Sequence, residues 1–183
     1  MTKLDARGDS GAGATTFFRV VYDGRFPESV AFASASERAG ERVHRIDGDI
    51  SSFWYRELDL AWRGRPAPVA GLTAHGPLFC LERWAWDAGL RVLFKAEHRR
   101  AGRSVEHRLS GPSDIVAGFM ESQQPSWIER AAGLARAAAA SAAPYRQGRR
   151  VTPASPFDNP DSEPLFTWVI GLAPAAARSP ISL

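Results

Sequence analysis

The stretch FFRVVYDGR, residues 17–25, joins an apolar, aromatic and β-branched run to an abrupt Asp-Gly turn. Such a run is typical of a buried strand, and Asp-Gly is typical of the turn that ends one. Pro27 then stands where a first helical position is expected, and Gly40 supplies a stop after residue 39. The stretch therefore predicts the first of a series of strand–turn–helix units.

The same pattern recurs along the chain. Residues 42–46 and 69–72 are two further strand candidates, and each is followed by a helical pattern, over 51–64 and 77–89. A fourth strand is predicted over 90–96. Because a connection of this length joins parallel strands by a crossover, the units predict an α/β fold. We expect a three-layer, Rossmann-like single domain with a mostly parallel sheet.

The second half of the chain departs from this rhythm. The polar residues 97–109, around an Ala-Gly turn at 101–102, predict a hairpin at the edge of the sheet. Two helices are expected next, over 113–120 and, rich in alanine, over 127–143. A loop is predicted from there to Pro164. The apolar run 165–170 is a last strand candidate, which either returns to the main sheet or pairs along its edge.

The chain has 183 residues, a length that fits one domain. We expect a disordered tail over 1–16, a single α/β domain over 17–172 and a loose tail over 173–183. Within the domain, 17–111 forms the βα core and 112–172 is a helical and strand extension.

Composition narrows the class of protein. The 23 basic and 20 acidic residues leave a net charge of +3, and the arginines scatter among acidic residues, so nucleic acid is not an expected partner. Cys80 is the single cysteine, which excludes an intrachain disulfide. No apolar run approaches the roughly 20 residues of a membrane span, and the first residues lack the apolar core of a secretory signal. We therefore expect a cytoplasmic protein without a membrane partner.

The candidate site follows from the fold class. In open α/β sheets, ligands bind outside the carboxyl ends of the strands. Residues from the ends of the first three predicted strands meet there, and Glu97-His98 at the end of the fourth joins them. We expect His75 and Asp23 as catalytic candidates, and as ligand-binding candidates Arg25, Asp47, Asp49, Thr73 and Gly76.

The segment 73–77, TAHGP, is the most specific part of this prediction. It lies between a strand and a helix start, where free N–H groups favour an anion, and Thr73 or His75 would bind it. His75 is also a candidate acid–base group. The alternatives are that Thr73 caps the helix and that His75 is solvated. Cys80, one turn later, is either a nucleophile or, more commonly in such apolar surroundings, a small buried side chain.

Each aspartate has a structural alternative. Asp23 and Asp47 occur in turn dipeptides, and Asp49 is a candidate helix cap together with Ser51. Two carboxylates from neighbouring strands suit a divalent ion, but no spacing is diagnostic, so no metal site is predicted. The triplets EHR at 97–99 and 106–108 are interpreted as cross-strand charge pairs.

The sequence names no cofactor, because dinucleotide, P-loop, serine-hydrolase and zinc signatures are all missing. The leading hypothesis is a module that binds a small anionic molecule at the carboxyl ends of its strands, with acid–base catalysis there left open. The alternative is a non-catalytic accessory or assembly subunit. It would use the helix 127–143 and the strand 165–170 as its surface for a protein partner or a second copy.

Overall fold

The computed structural model describes residues 17–101, 104–121, 126–141, 146–151 and 163–173, so the predicted tails, apart from residue 173, lie outside the described residues. In this part of the chain seven strands form one sheet, and helices cover both of its faces. The strands are β1 (Val20–Asp23), β2 (Val43–Ile46), β3 (Val69–Thr73), β4 (Arg91–Ala101), β5 (Ser104–Gly111), β6 (Arg146–Val151) and β7 (Leu165–Gly171). The helices are α1 (Pro27–Arg38), α2 (Ser51–Phe53), α3 (Asp59–Gly64), α4 (His75–Asp87), α5 (Ser113–Glu121) and α6 (Trp127–Ala140), with a π-helical turn, Trp54–Leu58, that joins α2 to α3.

The strand order is β2-β1-β3-β7-β4-β5-β6. β1 pairs in parallel with β2 and β3, as the strand–turn–helix units predict. β7 lies antiparallel between β3 and β4, and the pairs beyond β4 are also antiparallel. The α/β class is therefore confirmed, but the sheet is mixed. The predicted parallel arrangement holds for β2-β1-β3 and is interrupted where the last strand enters.

Alternation along the strands builds two separate cores. Val20 packs on the face covered by α1, α5 and α6, called here the α1 face, and Val21 packs on the opposite face, called the α4 face, with α4 and the residues of α2 and α3. In β7, Val169 belongs to the first cluster and Trp168 to the second. Since successive side chains of a strand point to opposite faces, the unbroken apolar runs seen in the sequence are those of strands buried on both sides.

The contact between β3 and β7 is unusually close. Trp168 lies opposite Gly71 in the strand register, and its indole covers the glycine on the α4 face. The indole N–H of Trp168 donates a hydrogen bond to Thr73 Oγ1 over 3.1 Å, and both side chains are fully buried. Gly71 therefore makes the space that this large side chain fills.

The predicted edge hairpin needs correction. β4 runs without a break from Arg91 to Ala101, so that the expected fourth strand and the first arm of the hairpin are one element. Outside β5 lies β6, over Arg146–Val151, where a loop was expected. Its sequence, RQGRRV, lacks the apolar alternation of a half-buried strand, so the pattern gave no signal for pairing.

The alanine-rich helix packs within the domain. Its buried side chains are Ala131, Ala132, Ala135 and Ala138, which lie against the α1 face of the sheet. The expected last strand, β7, lies in the middle of the sheet and is buried over its whole length. Neither the edges nor the faces of β7 are therefore available to a partner. No helix in the described residues combines the length and apolar character that a membrane crossing requires.

Candidate functional site

Asp23 and Arg25 form a closed pair at the end of β1. The Asp23 side chain is fully buried, and its two carboxylate oxygens accept hydrogen bonds from Arg25 Nε at 2.9 Å and from an Arg25 terminal nitrogen at 2.7 Å. This bonding raises the pKa of Arg25 above its ordinary value. The guanidinium also lies over Gly48, whose φ of 86° is one that glycine adopts readily. The loops after β1 and β2 thus meet, as predicted. The Asp23–Arg25 pair holds these two loops together.

We expect Arg25→Gln to lower the free energy of unfolding by about 2 kcal/mol, because it leaves a buried carboxylate without its cation. Urea unfolding followed by circular dichroism measures this. Arg45→Gln is the matched control, since Arg45 and Asp47 form an exposed ion pair and the change should have no measurable effect. Equal losses in the two variants would show that the Asp23–Arg25 pair is not a structural tie.

The other two aspartates have local partners. Asp47 Oδ1 accepts from Arg45 at 2.9 Å, and Asp49 Oδ1 accepts from the backbone N–H of Ser51 at 2.9 Å, at the start of α2. The hydrogen bond to Ser51 lowers the pKa of Asp49. Asp49 therefore bonds the first backbone N–H of α2, close to the capping alternative, although the residue at the N-cap position is Ile50.

The segment after β3 also differs from its prediction. α4 begins at His75, two residues before Pro77, and no side chain caps it. Thr73 Oγ1 is buried and donates to the carbonyl of Ala74 at 2.9 Å, so Thr73 neither caps the helix nor faces a ligand. His75 is exposed, and its ring lies 5.4 Å from that of Phe166. Gly76 is exposed, and no heavy atom would meet a Cβ there within 4 Å.

Cys80 is half-buried and packs against the α4-face core beside Trp54 and Trp84. The two indoles stack with their centroids 4.6 Å apart. These contacts match the apolar setting that the sequence indicated for the thiol.

A cavity of about 420 Å³ opens elsewhere on the same rim of the sheet. Its walls come from the start of α1, the carboxyl end of β4, the beginning of β5, the start of α6 and the residues that lead into β7. The lining residues are Phe26, Pro27, Glu28, His98, Arg100, Val105, Trp127, Glu163 and Leu165. The volume falls within the range of about 300–1,000 Å³ that is usual for small-molecule sites.

The predicted residues miss this cavity because of strand parity. Asp23 shares its side of β1 with Val21, and Thr73 shares its side of β3 with Val69, both on the α4 face. The cavity lies on the α1 face, with Leu165. The cavity opens on the rim that the sequence selected, but the strands that line it are β4, β5 and β7.

Charged groups stand at the mouth of the cavity. Glu28, in the first turn of α1, forms an ion pair with Arg100 of β4, whose side chain is 62% exposed. Glu163, just before β7, is exposed and makes no ion pair with any described residue within 4 Å. Arg25 is also nearby, since its guanidinium lies 5.2 Å from the centroid of the Phe26 ring and the charge of Glu163 helps to raise its pKa, but Arg25 is bonded to Asp23.

His98, which lines the cavity, is paired with a second histidine behind it. His98 of β4 lies opposite His107 of β5, and their Nδ1 atoms are 2.7 Å apart. His98 Nε2 lies 2.8 Å from Thr167 Oγ1, so that both ring nitrogens of His98 are hydrogen bonded. Trp127 covers the His98 ring at a centroid distance of 4.4 Å. One shared proton between the Nδ1 atoms satisfies the pair when both rings are neutral.

Burial keeps these rings neutral. The side chain of His98 is only 3% exposed, and burial, followed by the neighbouring His107, lowers its pKa well below the ordinary value. Burial also lowers the pKa of His107 to about 4, with a further contribution from the positive charge of Arg130. Near neutral pH His98 therefore presents to the cavity an uncharged ring whose two nitrogens are both hydrogen bonded.

The sequence contained a signal for this pair. The two EHR triplets lie on opposite arms of the hairpin, and Glu97 contacts Arg108 at 3.7 Å, as the charge-pair interpretation predicts. The same register places histidine opposite histidine. When Glu97 pairs with Arg108 and Arg99 with Glu106, the two histidines between them lie opposite each other and point to the other face of the sheet. The spacing of the triplets therefore indicated that both imidazoles face the core.

Among the described residues, no group of three or more histidine, cysteine, aspartate or glutamate side chains is arranged to hold a metal ion. The chain was also compared with protein-family models, with curated proteins and with solved structures. None of the three comparisons gives a match.

Proposed function

We propose that this protein binds a small organic molecule in the cavity at the carboxyl ends of its strands. The observation that carries the proposal is a cavity of about 420 Å³ whose wall includes aromatic and aliphatic side chains from the start of α1 and from β5, α6 and β7. Phe26, Pro27, Val105, Trp127 and Leu165 supply its apolar surface. Concave sites of this size, with a few polar groups at one end, are the usual form of a ligand site.

The polar groups support binding more than catalysis. His98 is the cavity's imidazole, and hydrogen bonds to His107 and Thr167 occupy both of its nitrogens. It is therefore a rigid wall for a ligand, with no nitrogen free to exchange a proton with it. Acid–base chemistry by His75 or Asp23 would take place outside this cavity, on the other face of the sheet.

The test uses 2-phenylethanol, a neutral molecule with one ring and one hydroxyl group. In protein with ¹⁵N-labelled tryptophan, we expect a saturable shift of the Trp127 indole resonance at millimolar concentration. The Trp127→Phe spectrum assigns that resonance among the six tryptophans. Val105→Phe, which fills the cavity, should abolish the shift.

Val30→Phe is the matched control, because Val30 is an exposed residue of α1 that does not line the cavity. It should bind the alcohol as the unchanged protein does. A shift that persists in Val105→Phe, or one that does not saturate, would mean that the cavity is not the binding site.

A further inference from the structure

We infer that the cavity selects an organic cation, an ammonium group carried on an apolar body. The inference rests on the proposed function, since it names the chemical class of ligand for the same site. It also departs from the anion that the residues after β3 predicted, because those residues lie on the other face of the sheet. Charged side chains at the mouth of the cavity and aromatic rings inside it support this inference.

The charge balance at the mouth favours a cation. Glu28 and Glu163 line the cavity with Arg100, and Arg25, which pairs with the buried Asp23, lies close enough to Glu163 that the negative charge of Glu163 helps to raise the pKa of Arg25. Three carboxylates therefore stand against two guanidinium groups, and the buried His98 is neutral. Each guanidinium is already bonded to a carboxylate, Arg100 to Glu28 and Arg25 to Asp23, so the net negative charge favours an ammonium group over a carboxylate or phosphate.

The geometry at Glu28 also suits a cationic group. Its carboxylate already accepts a hydrogen bond from Arg100, so it is oriented toward an N–H donor. Arg100 is 62% exposed and Glu28 is 20% exposed, so the carboxylate is the more deeply placed partner. A ligand ammonium would bind beside the guanidinium on the same carboxylate.

The rings of the cavity complete the recognition. Trp127 and Phe26 line the same cavity as the carboxylates, and the Phe26 ring already has a cation over it, the Arg25 guanidinium, 5.2 Å from its centroid. The face of an aromatic ring attracts a cation, and the attraction grows when the site excludes water. The Trp127 ring and the carboxylates therefore offer an ammonium group two kinds of attraction in one cavity, while the aliphatic side chains suit the apolar body.

The experiment compares three molecules with the same phenylethyl body: 2-phenylethylamine, 2-phenylethanol and 3-phenylpropanoate. Each is titrated against the labelled protein at pH 7 and the Trp127 indole shift is followed. We expect the amine to bind about tenfold more tightly than the alcohol, which corresponds to about 1.4 kcal/mol, and the carboxylate to bind most weakly.

Variants identify the source of the preference. Glu163→Gln and Glu28→Gln should each reduce the ratio of the amine affinity to the alcohol affinity, because each removes a negative charge that only the amine can use. Glu37→Gln, which removes an exposed carboxylate of α1 outside the cavity, should leave both affinities unchanged. Thermal unfolding of each variant checks that its fold is intact.

The outcomes separate the two proposals. If the alcohol binds in the cavity and the amine binds no more tightly, or if the carboxylate binds best, the cation inference is wrong and the binding function stands. A preference for the amine that survives both cavity variants also overturns the inference, because it then arises from the surface at large. If none of the three molecules shifts the Trp127 resonance, both proposals fail.

Discussion

Gly71→Ala is expected to lower the free energy of unfolding by about 3 kcal/mol. An added Cβ would lie 2.5 Å from Trp168 Cζ2 and 2.6 Å from the carbonyl oxygen of Val21. The oxygen belongs to the neighbouring strand and cannot rotate away, and the indole is held by its hydrogen bond to Thr73. The clash therefore has to separate β3 from its neighbours, which urea unfolding followed by circular dichroism will show.

Gly133→Ala is the matched control for this substitution. Gly133 lies inside α6, and no heavy atom would meet a Cβ there within 4 Å. Alanine should stabilise the helix by about 0.5–1 kcal/mol, because glycine loses more backbone freedom on folding. The two variants make the same chemical change with opposite expected signs. A stable Gly71→Ala variant would contradict the close packing of Trp168.

The second large effect is a loss of stability in acid that originates in the histidine pair. The pKa of His107 is about 4 in the folded protein, against an ordinary value of 6.5. Between these values the unfolded chain binds a proton that the native state does not, so stability falls as the pH falls from 6.5 toward 4. His107 is partly solvated, so we expect about 2 kcal/mol from this residue over the interval.

Urea unfolding at pH 7, 5.5 and 4.5 measures this loss. His107→Gln should make the free energy of unfolding less dependent on pH, because the glutamine amide can still pair with His98 and takes up no proton. His75→Gln removes a histidine outside the pair and should keep the dependence of the unchanged protein. If the free energy of unfolding is the same at pH 7 and 4.5, the two rings are not held neutral by burial.

The repeated units predicted the fold class because their signals are local. Gly40 follows the end of α1 with a φ of 84°, and Gly89 follows the end of α4 with a φ of 75°. Both glycines stand where the sequence predicted that a helix stops. The place of β7 was not predictable in the same way. The run 165–170 shows that the strand is buried on both faces, but pairing with β3 and β4 depends on contacts across some 70 to 100 residues, a separation read from the strand register.

The sequence predicted only part of the candidate site, because it did not indicate which face of the sheet the site occupies. The rule about carboxyl ends selected the rim on which the cavity opens, and Glu97-His98 was among the four segments that it selected. The face of the sheet depends on register, which a one-residue shift reverses. In the observed hairpin His98 lies opposite His107, whereas the predicted turn at 101–102 would have placed Val105 there. Arg100, Trp127 and Glu163 come together only through the packing of α6 and β7.

The central position of β7 also has a consequence for the order of folding. Until residues 165–171 are synthesised, the β2-β1-β3 and β4-β5 parts of the sheet share no strand pairing, and the edges of β3 and β4 stay open. Open edges rich in apolar residues pair readily with other chains. In a nascent chain of this protein, the open edges of β3 and β4 are therefore the main sites of association with other chains. Pairing with β7 covers both edges and joins the two parts of the sheet.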